Sequence, residues 1–120
     1  MNTALWLMSA LAIKHLIVDF FLQTRYQYSN KGTYGHGGGI LHAGLHALAT
    51  WIVFAAVVPY AWILAMADAV IHYHVDWAKV NINDHFGWTA TTHEQFWWLL
   101  GVDQFLHFAT YVALVAFVVN

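Results

Sequence analysis

The chain has 120 residues, of which 61% are hydrophobic and only 8% are charged. Soluble domains are about 25% charged, so this composition excludes an ordinary water-soluble fold and favours a membrane protein. The formal net charge of -2 offers no basic surface, so nucleic acid is not an expected partner. The absence of cysteine excludes disulfides, thiolate metal sites and iron–sulfur clusters, whereas nine histidines are unusual in so apolar a chain.

Four apolar segments predict four helices, at about residues 3–23, 39–58, 60–80 and 95–119. Each is long enough to cross about 30 Å of hydrocarbon at about 1.5 Å per residue. In lipid, only a helix satisfies all of its backbone groups within one segment. The prediction is therefore an all-α, up-down-up-down four-helix transmembrane bundle that forms a single domain over residues 1–120 and contacts membrane lipid.

The connections between these segments are polar or tight. Residues 24–38 are predicted to form a loop, in part because three glycines follow one another at residues 37–39. Pro59 marks a tight turn, and residues 81–94 form a second long loop. That loop ends in Thr92-His93-Glu94-Gln95, which fits a capping box that opens the last helix.

The basic residues predict an orientation. Arg25, Lys31 and Lys79 lie on the side of the two long loops, and Lys14 is inside the first helix. By the positive-inside rule, the long loops are expected in the cytoplasm and both termini outside it.

Each predicted helix carries one pair of ionisable residues four positions apart. This spacing places both members on one face of the helix, one turn apart. The pairs lie at similar depths, so an up-down-up-down arrangement would bring all of them into one layer. In chain order they are His15 and Asp19, His42 and His46, His72 and Asp76, and Asp103 and His107.

These eight residues predict a metal centre. A charged side chain within a transmembrane helix costs about 2.5–3.5 kcal/mol, so eight such residues must satisfy one another. Imidazole and carboxylate ligands suit a divalent or trivalent first-row metal such as zinc, iron or manganese, and five histidines with three aspartates can serve two ions. One or two of the eight are allowed to act by orienting ligands. A proton or ion path, or polar contacts without a metal, are the alternatives.

Other polar residues have two interpretations each. Lys79 either holds an anionic substrate or extends to the lipid headgroups. Asp68 either orients a histidine or pairs with Lys14. Gln23 and Gln104 either hydrogen-bond to ligands or substrate, or join helices.

The polar residues form five spaced motifs along the chain. In order, they are His15-x-x-x-Asp19-Phe20-x-x-Gln23, Lys31, His42-x-x-x-His46, His72-x-x-x-Asp76-x-x-Lys79 and Asp103-Gln104-x-x-His107. These motifs resemble a family of small bacterial and phage integral membrane proteins of unknown function. The resemblance covers nearly the whole chain and implies a multi-pass protein of the bacterial inner membrane, with no established activity. A more distant likeness to predicted membrane-bound metal-dependent hydrolases implies hydrolysis.

The favoured function is an integral membrane metal-dependent hydrolase that acts on a lipidic or phosphorylated, anionic substrate. Two ions bridged by a carboxylate would activate a bound water and hold a phosphoryl or acyl oxygen. Asp19 or Asp76 could bridge the ions, and Asp76 and Lys79 are the candidate catalytic residues.

Two other functions remain open. The histidine and carboxylate set is similar to that of hemerythrin, which favours a di-iron protein that binds or activates oxygen, although the Glu-x-x-His motif of ferritin-like bundles is absent. The third function is a metal or proton transporter, or a small subunit of a larger membrane complex, in which a homo-oligomer could serve. Haem bound by histidine pairs ranks lower because the aspartates would then have no role.

Overall fold

The computed structural model describes residues 2–120, and this part of the chain contains helices and turns but no strand. The all-α prediction is confirmed. The elements are α1 (Thr3–Leu16), which continues into a π-helical stretch (Ile17–Phe21), then a short helix α2 (Arg25–Tyr28), α3 (Gly37–Ala55), α4 (Ala61–Phe86) and α5 (Glu94–Val119).

The last six residues of α4 were not predicted to be helical. The helix continues to Phe86, whereas residues 81–94 were expected to form a loop. Gly87 ends the helix in the left-handed conformation, with φ of 65°, and glycine adopts this conformation without the penalty of a side chain. The polar residues before Gly87 are therefore the exposed last turns of a helix.

The start of α3 also differs from the prediction. The three glycines at residues 37–39 begin the helix instead of forming a loop. A side chain at Gly38 would collide with the backbone carbonyl of Tyr26, and one at Gly39 would press on the backbone of Lys31. These glycines therefore let α2 and the following turn pack closely on α3, which places that segment beside the interior polar residues.

The predicted capping box does not form. His93 is the residue that precedes α5, and its side chain makes no capping hydrogen bond. The Thr92 hydroxyl instead contacts the side chains of Thr89 and His93, so this turn is stabilised by local contacts within the loop.

The four long helices contact one another in a ring: α1 packs against α3 and α5, and α4 packs against α3 and α5. The apolar core lies at one end of this ring. It joins the first half of α1 and of α4 to the last half of α3 and of α5, through residues that include Leu7, Phe54, Leu64 and Leu114.

The distribution of polarity is inverted relative to a soluble protein. Among the described residues, eleven buried side chains are polar or charged, nearly as many as the twelve that are apolar. Large apolar side chains cover the outside, as in Phe20, Phe105 and Phe117, each more than 60% exposed. Within residues 2–120, three segments are long and apolar enough to cross a membrane: Thr3–Phe21, Gly37–Ala55 and Glu94–Val119.

Candidate metal centre

The paired histidines and aspartates of all four long helices meet in the interior. Seven of the eight are at most 3% exposed, and the Asp19 side chain is 12% exposed. Asp19 lies in the π-helical stretch, where the Leu22 amide donates to the Ile17 carbonyl at 2.9 Å instead of to the residue four positions before it. Single π-helical turns inside helices occur often at functional sites.

Side chains from different helices form two groups that could hold metal ions. In each group, one ligand atom from every residue lies within 4.8 Å of the others. Six of the eight predicted ligands take part, and His72 belongs to both groups. Among residues 2–120 these are the Asp19 group, with Asp19, His42, His46 and His72, and the Asp76 group, with His72, Asp76 and His107.

In the Asp19 group, three imidazoles face one carboxylate oxygen. Asp19 Oδ1 lies 2.7 Å from His46 Nε2 and 3.1 Å from His42 Nε2. His72 Nε2 is farther away, at 3.8 Å. The first two distances are those of hydrogen bonds, whereas 3.8 Å is too long for one.

In the Asp76 group, the two carboxylate oxygens face different histidines. Asp76 Oδ2 lies 3.2 Å from His72 Nε2 and 3.4 Å from His42 Nε2, and these two nitrogens are 3.3 Å apart. Asp76 Oδ1 lies 3.2 Å from His107 Nε2. Ligands at about 2.1 Å from a tetrahedral ion are about 3.4 Å from one another. The triangle of His42, His72 and Asp76 atoms therefore has the size of one face of such a site.

Gln27 fixes the protonation of His42. The Gln27 amide nitrogen donates to the Leu22 carbonyl at 3.2 Å, which turns its Oε1 towards His42 Nδ1 at 3.1 Å. Because that oxygen can only accept, the proton of neutral His42 is assigned to Nδ1. The lone pair of His42 Nε2 then points at His72 and the two carboxylates, and these electron-rich atoms require a proton or a metal ion between them.

His15 is held in the opposite form. Its Nε2 lies 3.0 Å from Asp19 Oδ2 and 2.8 Å from Gln104 Oε1, both acceptors, so Nε2 carries the proton. Its Nδ1 accepts from the Tyr111 hydroxyl at 2.8 Å. His15 therefore orients the Asp19 carboxylate and belongs to neither group.

The sequence of the chain matches the family described as "Protein of unknown function (DUF3307)" over residues 7–120. The chain belongs to the DUF3307 family. No curated protein and no solved structure matches it. The predicted resemblance to a family of unknown function is confirmed, and both groups lie within the part of the chain that matches the DUF3307 family.

In this DUF3307 protein, Lys14 contacts His46 at Nδ1, the ring nitrogen that does not contact Asp19. Its ammonium donates to Asp68 Oδ2 at 2.8 Å and lies 2.9 Å from His46 Nδ1. The Thr50 hydroxyl donates to the same Asp68 oxygen at 2.5 Å. Of the two interpretations of Asp68, the structure shows the pair with Lys14. A charged ammonium has no lone pair, so His46 accepts at Nδ1 and its proton is on Nε2, facing Asp19.

Each interior lysine pairs with a different aspartate. With neutral imidazoles, four aspartates and three lysines leave one net negative charge, and within residues 2–120 the Asp19 carboxylate faces only histidines. Lys79, a candidate catalytic residue, contacts Asp103 and not Asp76. The pairs are Lys14 with Asp68 at 2.8 Å, Lys31 with Asp76 at 3.3 Å, and Lys79 with Asp103 at 3.3 Å.

Asp103 lies beside the Asp76 group and not within it. Its Oδ1 is 3.3 Å from His107 Nε2, and its Oδ2 accepts from Gln104 at 3.0 Å. Gln104 hydrogen-bonds both Asp103 and His15 and thereby also joins α5 to α1, so the structure fits both interpretations of this residue. Gln23 accepts from Lys31 at 3.1 Å.

Sequence reasoning missed three buried residues that contact the site. Thr50 and Tyr111 each lie four positions after a predicted ligand, His46 and His107, so the same periodicity could have found them. Gln27 lies in a segment predicted to be a loop. No spacing rule relates it to His42, and only the tertiary contact reveals it.

Proposed function

We propose that the chain is an integral membrane protein whose four long helices cross the bilayer in alternating directions. The apolar core supports alternation, because it joins the starts of α1 and α4 to the ends of α3 and α5. The longest dimension of 43 Å is close to the about 40–45 Å of a bilayer with its headgroups. In this proposal α4 is the fourth crossing, with Asp68 and Asp76 turned inwards, the long loops cytoplasmic and the termini outside.

We further propose that the interior polar residues form a metal centre. The observation that carries this proposal is the pair of overlapping buried groups that share His72. Lysines pair with Asp68, Asp76 and Asp103, but among the described residues the Asp19 carboxylate has only histidine partners. An unpaired carboxylate in a membrane interior is costly, and a cation shared with the neighbouring imidazoles would offset this cost. Asp76 supports two ions, because Oδ2 faces His42 and His72 while Oδ1 faces His107.

The proposed ligands follow from the neighbours of each histidine. His42 presents a lone pair at Nε2. The Nδ1 of His72 is buried and has no hydrogen-bond partner within residues 2–120, so no neighbour prevents it from carrying the proton and leaving a lone pair on Nε2. The ring of His72 stacks between those of His46 and His107, with centroids 3.7 and 3.9 Å away, an arrangement that favours neutral rings. We propose Asp76 as the bridging ligand, with Asp19, His42, His72 and His107 completing the set. His15 and Asp103 orient it.

The proposed reaction is hydrolysis of an anionic, membrane-resident substrate. A divalent ion in this site would supply a Lewis acid and an acidified water. Because the protein side chains leave only one net negative charge, divalent ions would make the site cationic and favourable to a hydroxide and an anionic substrate. His46 would donate a hydrogen bond from Nε2–H to a substrate oxygen near Asp19, and Lys79 would release Asp103 to bind the substrate anion.

The test is metal analysis and hydrolysis by the purified protein. We expect bound zinc, iron or manganese, and cleavage of a phosphoester or acyl ester lipid, in the wild type. His42→Ala should lose both, whereas His85→Ala, at an exposed position of α4, should keep both. Protein that contains no metal after purification and after reloading would overturn the metal centre. A metal-loaded protein that is inactive on esters but changes its visible spectrum with oxygen would replace hydrolysis by the di-iron alternative.

A further inference from the structure

A groove on the outside of the molecule runs between α4 and α5. Its volume is 280 Å³. It is open along one side, since Ile82, Val102 and Leu106 are 42–54% exposed. The apolar residues that line it are Val75, Ala78, Ile82, Leu99, Val102 and Leu106.

The groove has a charged wall. Lys79 and Asp103 line it and contact each other at 3.3 Å. The Lys79 side chain is 20% exposed, whereas that of Asp103 is 1% exposed, so the cation is the accessible partner. Asp103 Oδ1 in turn lies 3.3 Å from His107 Nε2 of the Asp76 group. A molecule in the groove is therefore separated from the candidate metal centre by this one ion pair.

A second cavity continues from the same lysine towards the ends of the helices. Its volume is 130 Å³, and Lys79 and Leu99 line both cavities. The second cavity is more polar, because Asn83 and Asp84 also line it. The apolar groove matches the acyl chain of a lipid, and the smaller, more polar second cavity matches its headgroup.

We propose that this groove admits one acyl chain of a bilayer phospholipid from the side and that Lys79 binds the phosphate of its headgroup. This inference rests on the proposed function, in which the outside of the helices faces lipid. The phosphate competes with Asp103 for Lys79, which brings the headgroup next to His107. The substrate class of the metal centre would then be a phospholipid, taken directly from the membrane.

The groove between α3 and α4 provides an internal comparison. It is larger, at 410 Å³, but its lining residues within the described chain include no lysine, arginine, aspartate or glutamate. Its one histidine, His74, also lines the α4–α5 groove, so Lys79 is what distinguishes the two grooves for a phosphate. Ala69 in that groove and Ala78 in the α4–α5 groove are both half-buried alanines of α4, so they form a matched pair for substitution.

The experiment measures retention of dioleoylphosphatidylglycerol by the metal-loaded full chain in detergent, by native mass spectrometry. We expect the wild type to bind one lipid. Binding should be at least about tenfold weaker in Ala78→Trp, which fills the site of the acyl chain, and in Lys79→Gln, which removes a charge-assisted hydrogen bond. Ala69→Trp and Arg25→Gln should bind as the wild type does. Dioleoylglycerol, which lacks the phosphate, should bind about tenfold more weakly.

Equal binding by Ala78→Trp, or equal binding of dioleoylglycerol, would overturn the proposal, and so would an equal loss in Arg25→Gln. Displacement of the lipid by millimolar inorganic phosphate would show a free-anion site and also overturn it. Val102→Trp repeats the obstruction at a second position, and Lys79→Arg should restore binding if Lys79→Gln unfolds. Metal content is measured in parallel. Lipid retention by a protein that binds no metal would contradict only the metal centre, whereas metal binding without lipid retention would contradict only this inference.

Discussion

Replacing Gln27 by leucine tests the assignment of His42 as a metal ligand. Gln27 is 2% exposed, and its Oε1 is the acceptor for His42 Nδ1 at 3.1 Å. Leucine is similar in size but accepts no hydrogen bond, and water has little access to replace the lost acceptor. His42 is then free to move its proton to Nε2, where it blocks the lone pair that faces the carboxylates.

The expected loss is about 10–100-fold in metal affinity, the usual cost of removing a hydrogen-bond partner of a metal-ligating histidine. This corresponds to about 1.4–2.7 kcal/mol of binding free energy. Gln27→Glu should preserve the affinity, because a carboxylate accepts from the same Nδ1–H. Competition between the protein and a chromophoric chelator for zinc or manganese measures the affinity of each variant.

The matched control is Asn30→Leu. Asn30 is also an amide in this segment, but its side chain donates to the Tyr26 carbonyl at 2.9 Å and contacts no histidine. Its loss should leave metal affinity unchanged. If Gln27→Leu binds metal as tightly as the wild type does, the assignment of the His42 proton is wrong and the argument for His42 as a ligand fails with it.

Three further predictions concern the metal and the buried ion pair. His107→Ala should lose one ion, whereas His15→Ala should retain the metal with weaker affinity, and elemental analysis of both variants distinguishes a ligand from an orienting residue. Lys14→Met should destabilise the protein by about 3–5 kcal/mol, because it leaves Asp68 buried and unpaired, and Lys14→Met/Asp68→Asn should recover much of this loss in denaturation experiments. Unchanged stability of Lys14→Met would show that the ion pair with Asp68 contributes nothing to stability. Free zinc or manganese at about 100 times its Kd should stabilise the folded protein by about 2.7 kcal/mol. A midpoint temperature of unfolding that changes with neither the metal nor a chelator would contradict a site shared by several helices.

Much of the fold was predictable because its determinants are local. Long apolar segments give helices, and a spacing of four puts the members of a pair on one face. Six of the eight residues predicted in this way occur in the two candidate groups. Two of the errors lie near glycines. Gly87 ends a helix that extends into a predicted loop. The glycines at residues 37–39 were interpreted as signs of a loop, but they begin a helix and allow close packing against Tyr26 and Lys31.

The sequence by itself determined which side chains must face inwards, because helical periodicity and the cost of charge in an apolar chain leave those positions little choice. Only the tertiary structure decided what each one does there. His15, His42 and His46 are the same residue type in similar motifs, yet Gln27 places the proton of His42 on Nδ1, whereas Tyr111 and Lys14 leave those of His15 and His46 on Nε2. These partners come from other parts of the chain, and periodicity shows at most that such a residue faces inwards, not which histidine it contacts.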